Sequence, residues 1–219
     1  VGDEATRALE GATASFIGVV GGRSVVAIET SRDEAWGRWE HLRAVGWQLD
    51  GDDAALALTA LALAGWHANY RYCPRCGAPE LQHPHGRALH CPQCELTYYH
   101  NVAAAVACIV LDDRDHILSV RRAREPAKGT LDLPGGFVDP HESAEAAARR
   151  ELQEETGIVP QSLRYLFSLP NTYPYSGIDV FTADLFYLAR VPDFHNARAA
   201  DDAAALDIRP LAGLRATDY

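Results

Sequence analysis

Four of the five cysteines in this 219-residue chain come as two C-x-x-C pairs, Cys73-Pro-Arg-Cys76 and Cys91-Pro-Gln-Cys94, fourteen residues apart. No other feature narrows the folds open to the chain as much. Two such turns can offer four thiolates to one tetrahedral ion, the coordination that structural zinc prefers. Four sulfurs leave no position open for a substrate, so the expected role of Zn2+ here is structural. Residues 69–100, which contain both pairs, also hold Pro74, Pro79, Pro84 and Pro92 and show little periodicity. A segment that small has little core of its own, and metal binding takes the place of core burial. His83, His85 and His90 lie close by, but sulfur already fills the shell, so they are expected to be loop residues. Cys108 sits inside the apolar run "VAAAVACIVL" and is expected in the core. No basic-then-apolar leader opens the sequence, so the cysteine pattern favours bound metal over disulfides and a reducing, cytoplasmic setting.

Around this segment the chain divides into three zones. Residues 1–68 carry two β-like runs, "ASFIGVV" and "SVVAIE", joined by the hairpin signal Gly21-Gly22. Asp52 or Asp53 is expected to cap an Ala- and Leu-rich helix that runs to about Ala68. The zone reads as a small N-terminal α+β domain, followed by the cysteine segment at 69–100 and a third domain at 101–219. In the third, "VAAAVACIVL" and "HILSVRR" read as strands with "DDRD" as the turn between them. Ser143 is placed to cap a helix through Thr156, Glu145 favours its first turn, and Gly157 suits its end. "LRYLFSL", "DVFTADLFYLAR" and "LDIRPL" read as further strands. Strands around one amphipathic helix imply a mixed α/β (α+β) core.

With 47% hydrophobic residues the chain can bury a core, and its formal charge of −10 disfavours nonspecific phosphate gripping. No run approaches the roughly 18 apolar residues of a membrane helix. A local exception to the acidic charge is "RRAREPAKG" at 121–129, where Arg121, Arg122, Arg124 and Lys128 outnumber Glu125. It suits a solvated strand end or an electrostatic funnel for a pyrophosphate.

The helix 144–156 contains Glu151, Glu154 and Glu155. At about 100° per residue the three carboxylates share an arc of about 100° and can converge on one point. Without a cation they repel one another, and hard oxygen donors suit Mg2+ or Mn2+. Spacing alone also suits a solvated acidic face. The longer stretch "GGFVDPHESAEAAARRELQEETGI" decides between the two. It reads Gly136, five residues, Glu142, seven residues, Arg150-Glu151-Leu152, one residue, Glu154-Glu155, one residue, Gly157-Ile158. Every fixed position of the Nudix box, G-x5-E-x7-R-E-U-x-E-E-x-G-U with U aliphatic, is matched.

The chain therefore resembles the Nudix hydrolases, which cleave nucleoside diphosphates linked to another moiety. The resemblance implies an α/β/α sandwich with a mixed sheet and a loop–helix–loop that displays metal-bound glutamates. It makes Glu151, Glu154 and Glu155 ligands of catalytic Mg2+ or Mn2+, with Glu154 or Glu155 helping to activate water. Glu142 becomes an outer ligand or the partner that holds Arg150.

A four-cysteine zinc ribbon directly before such a domain is similar to the NADH pyrophosphatase (NAD diphosphatase) family. "WHANYRYCPRCGAP" at 66–79 and Tyr98-Tyr99 resemble that family's segments on either side of the first and last knuckles. By this resemblance Tyr99 lines the nicotinamide end of the substrate site and Phe137, beside Gly136, stacks on the substrate; both rings also suit a core. The family signature S-Q-P-W-P-F-P-x-S aligns with Ser168-Leu-Pro-Asn-Thr-Tyr-Pro-Tyr-Ser176. Ser168, Pro170, Pro174 and Ser176 match and Tyr173 replaces Phe, while Leu169, Asn171 and Thr172 depart. Ala203-Ala204-Ala205 stands where the family has an acid before its last strand, with Asp201 and Asp202 nearest. The implied reaction is NADH or NAD+ plus water giving NMNH or NMN plus AMP. NAD-capped RNA is implied as a further substrate, and a homodimer as the assembly. Pro174 and Tyr175 also fit Nudix enzymes acting on ADP-ribose or diadenosine polyphosphates. A non-catalytic zinc-ribbon module that binds nucleic acid or regulates is the alternative of another class.

Overall fold

The computed structural model describes residues 13–29, 40, 42–79, 81–82, 86–123 and 128–214. His83, Pro84, His85, Arg124 and Glu125, which figure in the sequence reading, lie outside these residues. The chain forms two compact units that divide between Asn101 and Val102. Among the described residues no helix is long and apolar enough to cross a membrane.

The first unit begins with an antiparallel hairpin of β1 (Thr13–Val20) and β2 (Arg23–Glu29). Its turn uses Gly21 at φ 56° and Gly22 at φ 77°, a left-handed backbone that glycine adopts without steric cost. One helical turn, α1 (Leu42–Val45), precedes the long helix α2 (Gly51–Asn69). The N-cap of α2 is Asp50, whose side chain accepts from the Asp53 amide. This corrects the expected cap at Asp52 or Asp53, which instead lie inside the first turn and complement the helix dipole. Ile17, Leu63, Trp66 and Leu89 form one buried cluster, joining hairpin, helix and cysteine segment. That segment supplies a small antiparallel sheet of β3 (Leu81–Gln82), β4 (Ala88–His90) and β5 (Thr97–Tyr99).

The second unit is a mixed sheet of seven strands. The strands are β6 (Ala103–Leu111), β7 (His116–Arg122), β8 (Leu131–Asp132), β9 (Gly135–Phe137), β10 (Ser162–Tyr175), β11 (Ile178–Arg190) and β12 (Ala203–Pro210). The main path runs β10-β11-β6-β7-β12, with β8 on β7 and β9 on β6. β11 and β6 are parallel and the other pairs antiparallel. One helix, α3 (Ala144–Thr156), packs on this sheet among the described residues. The architecture is α+β.

Alternation explains how α3 seats. Val106, Cys108 and Val110 of β6, Leu118 and Val120 of β7, and Tyr187 and Ala189 of β11 form a buried core with Ala147, Ala148 and Leu152 of α3. These strand residues are spaced by two, so one sheet face meets the helix. Cys108 lies fully buried in this core, as its apolar neighbours imply. Ser143 caps α3 by accepting from the Ala146 amide, and Gly157 ends it at φ 71°.

Candidate functional site

Where β9 meets α3, two glycines do different work. A Cβ on Gly135 would stand 2.1 Å from the Val106 carbonyl oxygen, so backbone packing excludes any larger residue there. A Cβ on Gly136 would instead meet the Glu151 carboxylate, at 2.4 to 2.8 Å. Gly136 is thus the floor on which that carboxylate rests. The box formula singles out Gly136; the need for Gly135 follows only from the β6–β9 approach.

Arg150 organises the acids. It donates to both oxygens of Glu142, from Nε at 3.3 and 3.2 Å and from Nη2 at 2.6 Å. Its Nη1 reaches Glu151 at 2.8 Å and Glu154 at 3.0 Å, and Nη2 also holds the Phe137 carbonyl at 3.0 Å. Of the two roles open to Glu142 in the sequence, the one displayed is partner to Arg150. That bond holds the Glu142 carboxyl below its ordinary range, with the Asp139 amide adding to it.

Glu155 is buried, and its carboxylate accepts a hydrogen bond from the Gly135 amide at 3.1 Å. Burial pushes its carboxyl up to about 8; the amide opposes this, while the charges of Glu151, Asp132 and Asp202 add to it. Glu151 is also raised by burial, against the pull of Arg150, with Glu154 and Asp201 contributing. Asp201 and Asp202, the acids nearest the expected extra ligand position, therefore lie within electrostatic reach of these glutamates. Asp132 is a further member that sequence reasoning missed, because "LDLPGG" carries no spacing signal for it. Such an excess of sheltered negative charge suits a divalent cation.

The aromatic residues form a second part. The rings of Phe137 and Tyr173 meet edge to face with centroids 6.1 Å apart. The Tyr173 hydroxyl accepts from Arg122 at 2.7 Å, and Arg122 also pairs with Asp132 at 2.8 Å. Arg121 pairs with Asp207 at 3.1 Å. Both described arginines of the basic patch are thus tied to acids. Ser168, Pro170 and Ser176, expected at the same site, are not gathered here. Strand alternation puts Ser168 and Pro170 on the opposite sheet face from Tyr173, since Ser168 stands beside Leu185, which packs on the α3 core. Ser176 occupies the β10–β11 turn at φ 50°. Tyr99 belongs to the first unit, exposed on β5.

In the first unit the sulfurs of Cys73, Cys76, Cys91 and Cys94 all lie within 4.8 Å of one another. Among the described residues no other three His, Cys, Asp or Glu side chains gather as a metal-sized group. The knuckles are built alike: the Cys73 amide donates to Ala78 and Gly77 to Cys73, as Cys91 does to Leu96 and Glu95 to Cys91. Each turn closes with a positive φ, 76° at Gly77 and 57° at Glu95. Burial pushes the Cys73 thiol up to about 12, whereas at Cys91 the amides of Cys94 and Gln93 and the neighbouring thiols outweigh burial and draw it down to about 7. His90 is not the expected loop residue: it ends strand β4 and pairs with Thr97 of β5, side chain to side chain at 3.0 Å.

Comparison with known proteins agrees with this geometry. Residues 102–211 match the NUDIX domain model, and residues 68–99 match the NADH pyrophosphatase zinc ribbon domain. The human protein named NAD(P)H pyrophosphatase NUDT13, mitochondrial, is 36% identical over 64% of this chain and 40% of its own length. The Klebsiella pneumoniae protein named NAD-capped RNA hydrolase NudC is 32% identical over 80% of this chain and 66% of its own. The first of these matches spans less than half of the relative and the second just under two thirds. A NUDIX hydrolase structure from Nitrosomonas europaea shares the fold, with a TM-score of 0.52 and 22% identity over 68% of this chain and 82% of that one. With the box on α3, the sheet behind it and the family model matching half the chain, this protein belongs to the Nudix family and carries an NADH pyrophosphatase zinc ribbon ahead of its Nudix domain.

Proposed function

We propose that this chain hydrolyses the diphosphate bridge of a nucleoside-diphosphate-linked substrate, NADH or NAD+, to NMNH or NMN plus AMP. The observation that carries the reading is the acid cluster of α3: Glu151 over Gly136, Glu155 under the Gly135 amide, and Glu154 on Arg150. Glu151, Glu154 and Glu155 would hold Mg2+ or Mn2+. Such an ion, when bound, neutralises diphosphate charge and acidifies a bound water. The chain's own contribution is placement. Arg150 fixes Glu151 and Glu154, while the fully buried Leu152 anchors the helix turn that carries them. Burial and the neighbouring carboxylates raise the Glu155 carboxyl in the absence of an ion, and a bound cation would return it to the charged form in which Glu154 or Glu155 can help activate water. Phe137 and Tyr173 offer rings against which a heteroaromatic group can pack.

The names of the relatives support this substrate class, and NAD-capped RNA belongs to the same reading, although a charge of −10 limits contact along the RNA itself. Structural Zn2+ on Cys73, Cys76, Cys91 and Cys94 completes the proposal, supported by the closeness of the sulfurs. A homodimer is supported by the exposed Tyr165, Phe167 and Leu169 on the edge strand β10, and a reducing cytoplasmic setting by five unpaired cysteines. A second reading, ADP-ribose or diadenosine polyphosphate as substrate, is favoured by Pro174 and Tyr175 and by the departures from the NADH pyrophosphatase signature at Leu169, Asn171 and Thr172.

The test is incubation with Mn2+ and NADH, NAD+, ADP-ribose or diadenosine polyphosphate, followed by chromatography of products. AMP from NADH or NAD+ is expected, reduced roughly a thousandfold in Glu155→Gln. AMP chiefly from ADP-ribose establishes the second reading. No AMP from any of them leaves a binding or regulatory module.

A further inference from the structure

The first unit holds a cavity that neither the box nor the ribbon explains. Helix α2 rests on the hairpin where Leu63 and Trp66 pack with Ile17 of β1 and Leu89 of β4. Beside this cluster the facing side chains are small. Ala57, Ala60 and Ala64 stand three and four positions apart, so they share one face of α2. Ala27 of β2 and Leu42 of α1 border the same space. Methyl groups where larger side chains would meet leave a cavity of about 490 Å3 between hairpin and helix. Packing normally closes such a gap, because unfilled space forfeits dispersion contacts. The volume falls in the range of small-molecule sites, roughly 300 to 1,000 Å3.

Four polar side chains join this apolar wall: Ser15, His67, Glu29 and Glu40. Ser15 is buried, and its Oγ lies 3.4 Å from His67 Nδ1. Burial holds the His67 ring below its ordinary value, against the backbone of Gly86 and the charge of Glu29, so at neutral pH the ring is uncharged. The formal charges on the wall are then two carboxylates, and no Lys or Arg among the described residues lines it. An apolar chamber with a negative wall, in a chain of charge −10, complements a ligand with an apolar body and a positive group. A phosphate or carboxylate ligand would face like charge there. The cavity is therefore unsuited to the anionic dinucleotides of the proposed reaction.

We propose that this cavity binds a small organic cation, with its apolar body between Ala27, Ala60 and Ala64 and its ammonium group held by Glu29 and Glu40, beside Ser15 and His67. The cavity adjoins the cluster of Leu63 and Trp66, and Trp66 meets Tyr98 of β5 edge to face at 5.9 Å. Occupancy therefore stabilises hairpin, helix and cysteine segment together.

Calorimetric titration of the full chain tests this with three probes that share one body: 3-phenylpropylammonium, 3-phenylpropanol and 3-phenylpropanoate. The ammonium is expected to bind at least about tenfold tighter than the alcohol, with the carboxylate weakest. Ala64→Leu fills part of the cavity without changing charge and is expected to weaken the ammonium at least about tenfold. Glu29→Gln combined with Glu40→Gln is expected to bring the ammonium and the alcohol within about threefold of each other. No binding of any probe, or equal binding of ammonium and alcohol, would overturn the site. So would ammonium binding that is unchanged in Ala64→Leu, since general attraction of an acidic chain for cations survives that substitution. The comparison of probes needs no variant, so a poorly folded substitution does not shelter the proposal.

Discussion

Among the described residues a thiol cluster and an acid cluster suit cations, and they are assembled in opposite ways. In the first unit four sulfurs lie within 4.8 Å of one another, drawn together by two matching turns. In the second, the carboxylates of α3 are held by a protein cation: Arg150 takes Glu142, Glu151 and Glu154, and Glu155 sits apart beneath the Gly135 amide. The difference follows from what else holds each region up. The segment 69–100 has short strands and few buried side chains, so a shared ion would take the place of core. Helix α3 rests on a core that includes Ala147, Ala148 and Leu152 and is complete without any ion. One cluster is therefore expected to be structural and closed, the other exchangeable and open to substrate.

The largest expected effect breaks the comparison at the ribbon. Cys91→Ser should abolish stoichiometric zinc and unfold the segment around it, because structural zinc sites are worth roughly 10 kcal/mol or more to small domains. Metal analysis of protein purified without chelators, with circular dichroism, checks this. Tight zinc in Cys91→Ser would refute a four-sulfur site. The second unit, whose core is separate, should keep its own thermal transition.

A smaller effect sharpens the difference through pH. The Glu155 carboxyl is raised to about 8 in the folded protein, above the ordinary glutamate value of 4.5. The unfolded chain therefore releases this proton first as pH rises. In chelated protein stability should fall from about pH 5 upward and level off above about pH 8. Thermal melts across that window should show the slope, and Glu155→Gln should flatten it. A slope unchanged in the variant would assign it elsewhere. The smallest effect is at the helix start: Ser143→Ala removes the acceptor for the Ala146 amide and should cost about 1 kcal/mol in urea unfolding. Activity should fall little, since Leu152 still anchors the catalytic turn.

Much of this was legible because it is local. A C-x-x-C turn sets its own geometry, and helix spacing alone places Glu151, Glu154 and Glu155 on one arc. The strands 116–122 and the helix from Ser143 to Gly157 follow from alternation and capping, which act over a few residues. The cap of α2 was misplaced by two or three residues because three aspartates stand within four positions, and only the backbone at Asp50 shows which one leads.

What the sequence by itself determined is which donors are available and which lie on one turn: four thiolates in two knuckles, three glutamates on one helix, and Arg150 beside them. Tertiary structure alone decided the rest. Whether Glu155 is buried depends on β9 crossing α3, and Gly135 is required because of a carbonyl twenty-nine residues earlier. Ser168 and Tyr173 read as one signature along the chain, yet their parity in β10 sends them to opposite faces of the sheet. Pairing between distant strands sets such neighbours, and strand register is fixed by the burial of a whole sheet face rather than by any short run of residues.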